Sequence, residues 1–86
     1  MANIASQEKR IHRAERERIE NRRRTSQVKT WFRRLETAVA EGDAGRADQE
    51  LRELESRVDR AVKSGALHRN SGARRKARAA RIRAKL

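Results

Sequence analysis

Residues 28–62 read VKTWFRRLETAVAEGDAGRADQELRELESRVDRAV. Val28, Phe32, Leu35 and Val39 follow one another at intervals of four, three and four, with Trp31 and Ala38 beside them. Ala47, Leu51, Leu54, Val58 and Ala61 then follow at four, three, four and three, with Val62 alongside. Both patterns place apolar side chains on one face of an α-helix, and neither alternates as a strand would. Between them lies Glu41-Gly42-Asp43. Gly42 is suited to the left-handed conformation that closes a helix, and Asp43 to capping the next one. A turn this short makes the two helices antiparallel neighbours. This stretch therefore predicts an α-hairpin with a shared apolar seam.

Working outward, a second break falls at Ser64-Gly65-Ala66-Leu67, followed by Ala73, Ala77, Ala80 and Ala84 at four, three and four. That stripe predicts a third helix packing closely through alanines. The chain has no Pro, and Arg, Glu, Ala, Leu and Lys dominate it, all good helix formers. The expected fold is all-α: one domain over 1–86, with helices at about 6–41, 44–64 and 68–85. The first helix is a special case. Between Ser6 and Ser26 its only large apolar residues are Ile11 and Ile19. That half cannot share a core, so a long N-terminal helix should project beyond a three-helix bundle. Val28, Trp31, Phe32, Leu35, Val39, Leu51, Leu54, Val58, Val62 and Leu67 are the candidate core. They are few for a chain of 86 residues, so part of the order should depend on a partner.

Charge points to that partner. The chain carries 24 Lys and Arg against 12 Asp and Glu, a net charge of +12. Residues 1–34 have net charge +7, residues 35–64 have −3, and residues 65–86 have +8 with no acid at all. Two basic arms flanking an acidic middle form a pattern of a polyanion-binding surface, not of evenly mixed solubilising charge. Arg18, Arg22, Lys29 and Arg33 fall within about 60° on a helical wheel. Lys9, Arg13 and Arg16 form an earlier row, while Arg74, Arg78, Arg81 and Lys85 repeat at four, three and four. Arg69, Lys76 and Arg83 add a row at heptad spacing. Arg heavily outnumbers Lys, and its planar guanidinium suits bidentate phosphate contact.

Other chemistries are excluded or unsupported. No Cys means no disulfide framework and no thiolate. His12 and His68 lie in different predicted helices without metal-ligand spacing, so no metal and no cofactor is expected. Neither a phosphate-cradling glycine loop nor a nucleophile elbow is present, and no small-molecule substrate or enzymatic activity is expected. There is no membrane span, signal-peptide core or amphipathic membrane face, which leaves a cytoplasmic setting as the expectation. With no aromatic platform for single strands and no leucine zipper behind the basic region, structured RNA fits best. A DNA-compacting protein and a helical adaptor for a basic protein are the competing readings.

Several stretches together resemble a known family. Met1-Ala2-Asn3-Ile4, Ser6, Lys9-Arg10, Glu15, Arg18 and Asn21 are similar to the start of the bacterial small-subunit ribosomal protein numbered twenty. Ala38 to Asp43 resembles that family's turn. Asp59, Ala61, Gly65, His68, Asn70, Ala73, Arg74, Lys76 and Arg78 resemble its densest motif. The resemblance implies a structural constituent of the 30S ribosomal subunit that binds 16S ribosomal RNA directly and supports its folding and assembly. It implies RNA-facing roles for Asn3, Ser6, Lys9, Arg10, Arg18, Asn21, His68, Asn70, Arg74, Lys76 and Arg78. The basic rows add Arg13, Arg16, Arg22, Lys29, Arg33, Arg81 and Lys85, and Arg75 completes the candidate RNA-binding set. Gly72 stands where the family frequently has Ala, and should weaken the third helix by about 1 kcal/mol.

Overall fold

The computed structural model describes residues 4–86. Three helices follow one another: α1 (Ile4–Ala40), α2 (Ala44–Lys63) and α3 (Arg69–Arg83). No strand occurs among the described residues. The molecule measures 62 × 21 × 13 Å. At about 1.5 Å per residue α1 alone is roughly 56 Å long, so its length sets the long axis. The fold is the all-α bundle with a projecting first helix that the apolar spacing predicts.

Local chemistry closes each helix. Gly42 has φ +72°, the Asp43 N–H donates to the Ala38 carbonyl, and the Gly42 N–H donates to the Val39 carbonyl. These crossed bonds form a Schellman closure, which needs a residue that tolerates positive φ. Asp43 then caps α2, its Oδ1 accepting from the Arg46 N–H at 3.0 Å. His68 caps α3, its Nδ1 accepting from the Asn70 N–H at 3.1 Å.

Val28, Phe32, Leu35 and Ala38 of α1 are buried against Ala47, Leu54, Val58 and Ala61 of α2. Trp31, Val39, Leu51, Val62, Ala66, Leu67 and Ile82 are partly buried around them. Trp31 does not enter the centre. Two guanidiniums lie over its ring, Arg57 at 4.5 Å and Arg34 at 5.1 Å from the ring centroid, and the Arg57 cation–π contact joins α1 to α2.

The third helix differs from expectation. Ala73, Ala77, Ala80 and Ala84 are exposed, and the buried positions are Gly72 and Ala79, with Ile82 packed beside them. α3 is rotated by about one residue because Ile82 has more apolar surface to bury than any alanine. The rotation also brings Lys76 to Asp59 (2.9 Å) and Arg83 to Asp48 (2.6 Å) on the antiparallel α2. Gly72 is the point of closest approach. A Cβ there would lie inside the contact radius of Val62 Cγ2 and 3.4 Å from Val58 Cγ1. The glycine is therefore a packing requirement between α2 and α3, and not merely a weak spot in α3.

Candidate nucleic-acid interface

α1 projects because residues 4–20 are exposed on every side. Ser6, Lys9, Arg10, Arg13, Arg16 and Arg18 all lie on this part and reach solvent. Further along α1, Arg22, Lys29 and Arg33 are exposed, while Asn21 is half-buried and accepts a hydrogen bond from Arg24 at 3.3 Å. Asn3 lies outside the described residues.

Arg74, Arg78 and Arg81 on α3, and Lys85 just beyond its end, are exposed. Two contacts fix which way this row faces. Arg78 lies over the Phe32 ring at 5.2 Å and reaches Glu36 Oε1 at 4.0 Å. A groove of about 470 Å³ between α1 and α3 is lined by Glu36, Val39, Ala40, Arg78, Arg81, Ile82 and Lys85. Lys29 and Arg33 precede Glu36 by seven and three residues, so they share its helix face. The two rows that the sequence separates by some forty residues are thus brought to one flank. A shallow hollow lined by Arg74, Arg75, Ala77, Arg78 and Arg81 continues the same surface.

The remaining candidates have local duties. His68 caps α3, and the Asn70 carbonyl accepts from Arg74 Nε at 3.3 Å. Arg75 is half-buried. Lys76 is held by Asp59, whose carboxylate, by hydrogen bond and charge, raises the ammonium pKa above its ordinary value. Arg83, from the heptad row, donates to Asp48. This hydrogen bond lowers the Asp48 carboxyl below its ordinary value against an opposing effect of burial, and raises Arg83. Part of the basic charge of α3 therefore docks the helix, and part is left facing outward.

A second cationic cluster escaped sequence reasoning. Arg24, Arg60, Lys63 and Ser64 line one hollow between α1 and the C-terminal end of α2. Arg23, Arg24, Gln27 and Arg60 line an adjoining one with Glu20. Arg60 and Lys63 belong to the net-acidic middle, where net charge conceals them. Their signal was positional: both occupy the last turn of α2, where cations complement the helix dipole.

Among the described residues no group of three or more His, Cys, Asp or Glu is placed to hold a metal ion. No helix among them is long and apolar enough to cross a membrane.

The chain has relatives among known proteins. A relative in Acaryochloris marina, named small ribosomal subunit protein bS20, is 43% identical over 89 residues, covering 95% of each chain. Proteins of the same name in Mycobacteroides abscessus and Kocuria rhizophila are 43% identical over 76 residues and 40% identical over 86 residues. The first of these covers 88% of each chain and the second 100% of each. None of the three is named as an enzyme. The family profile of ribosomal protein S20 matches residues 2–83, and the chain belongs to that family.

Proposed function

We propose that this protein is a structural constituent of the small ribosomal subunit that binds 16S ribosomal RNA directly and supports its folding and assembly. The observation that carries the reading is the convergence of two exposed basic rows on one flank: Arg18, Arg22, Lys29 and Arg33 from α1, and Arg74, Arg78 and Arg81 from α3 with Lys85 just beyond it. Side chains held at helical spacing along a flank suit the regularly spaced phosphates of a folded RNA. Lys9, Arg10, Arg13 and Arg16 extend the surface along the projecting half of α1, and Arg24, Arg60 and Lys63 add a second cationic cluster between α1 and the end of α2. The protein contributes no reaction. It supplies fixed positive charge that lowers the repulsion between RNA segments brought close together.

Sedimentation of the tagged protein with ribosomal particles tests this. The expected result is co-migration with 30S particles that survives a high-salt wash, with 16S rRNA protected from chemical probing. Recovery with chromosomal DNA instead, lost in high salt, contradicts the reading and favours a DNA-compacting role.

A further inference from the structure

Cations on a phosphate-binding flank need no special account, but an acid there does. Glu36 is the only acid in residues 21–40, and residues 65–86 have none. It lies in the α1–α3 groove beside Arg78, Arg81 and Lys85. A carboxylate at that position repels phosphate and weakens simple electrostatic binding. Its ion pair to Arg78 is long at 4.0 Å, and half of the Glu36 side chain is exposed. Arg78 is meanwhile engaged over Phe32. The carboxylate is therefore open to a further partner.

An ionised carboxylate only accepts hydrogen bonds. On a nucleic-acid backbone the phosphates are acceptors as well, and the group that can donate is the ribose 2′-hydroxyl, which DNA lacks. The rest of the groove suits a sugar. Val39, Ala40 and Ile82 give it an apolar wall, and Arg81 and Lys85 stand on its rim. We propose that this groove is a ribose slot, in which Glu36 accepts a hydrogen bond from a 2′-hydroxyl while Arg81 and Lys85 hold the adjoining phosphates. The proposal rests on the RNA reading above and deepens it: Glu36 makes the flank prefer RNA backbone to any other polyphosphate of the same charge.

Filter binding with the full chain tests it, using a short RNA duplex and its 2′-fluoro counterpart. The fluoro duplex keeps the phosphates and the A-form shape but has no 2′ donor. The wild type should bind the RNA duplex about tenfold more tightly, as one charge-assisted hydrogen bond provides. Glu36→Ala should bind the fluoro duplex more tightly, through lost repulsion, and bring the ratio close to one because the RNA duplex loses its hydrogen bond. Glu8→Gln removes the same charge from the exposed projecting half of α1 and should leave the ratio unchanged. Matching circular dichroism and melting curves confirm that the variants are folded. A wild-type ratio of one, or a ratio that survives Glu36→Ala, overturns the proposal. A 16S rRNA transcript run in parallel separates the two levels: failure of the wild type to bind it contradicts the RNA reading itself.

Discussion

The two halves of α1 are both helical and meet opposite fates. Residues 4–20 and residues 28–40 each carry Arg and Ala among scattered large apolar side chains. In the second half Val28, Phe32, Leu35 and Ala38 are buried. In the first, Ile4, Ile11 and Ile19 remain 72%, 58% and 51% exposed. The difference lies in spacing. Isoleucines seven and eight residues apart leave too little apolar surface per turn to attract a second helix, whereas intervals of four and three build a continuous seam. One half is therefore ordered from within the chain. The other is an arm exposed to solvent along its length.

If this contrast is right, the largest difference should appear in amide hydrogen exchange of the free protein. Amides of residues 28–38 should exchange on the order of a hundredfold more slowly than those of residues 6–20, because a helix without packing frays. RNA should protect the arm. Equal protection of both halves in the free chain would erase the contrast. Truncation sharpens it further. Phe32→Ala and Leu54→Ala should each cost about 2–5 kcal/mol in thermal melts, near the whole stability of so small a domain. Ile11→Ala and Ile19→Ala, on the exposed arm, should stay within about 0.5 kcal/mol.

The attachment of α3 supports smaller tests. Gly72→Ala improves helix propensity by about 1 kcal/mol but forces a methyl into Val62, and overpacking costs about 1–3 kcal/mol. We expect net destabilisation, reversed in the Val62→Ala background, where the space is free. Gly72→Ala stabilising the wild type would contradict the close approach of α2 and α3.

The smallest effect is a pH dependence. Asp48 has its pKa lowered in the folded chain by Arg83. Its contribution is therefore present above the ordinary carboxylate pKa and is lost as pH falls through the lowered one. The Lys76 pKa is raised by Asp59, so that contribution persists at neutral pH and fades only in strong alkali. Asp48→Asn should lower the melting temperature slightly at neutral pH, and the difference should vanish in acid. A difference that grows on acidification would have the wrong sign.

Large residues made the α1–α2 hairpin legible from sequence. Leu35, Leu54, Val28 and Val58 are fully buried, and each stands out against its charged neighbours along the chain. α3 offered no such contrast. Alanines occur on more than one of its faces, so the stripe Ala73–Ala77–Ala80–Ala84 carried little information, and Ile82 decided the rotation. The pairing of Arg83 with Asp48 spans 35 residues, and no local spacing rule reaches that far. The exposed basic rows were legible one by one, since a charged row at helical spacing tends to face water. Their convergence required the bundle, because the contacts of Arg78 with Phe32 and Glu36 show which flank of α1 meets α3.

The central claim is that the outward basic rows of α1 and α3 hold RNA phosphate. The salt dependence of 16S rRNA binding tests it most directly. Arg74 and Arg81 are exposed, and among the described residues neither pairs with an acid. Each phosphate contact releases condensed counterion and adds somewhat less than one unit to the slope of log affinity against log salt. The double variant Arg74→Gln/Arg81→Gln should therefore weaken binding and flatten that slope by about one to two units. An unchanged slope would mean that these arginines face only water in the complex, and would contradict the account.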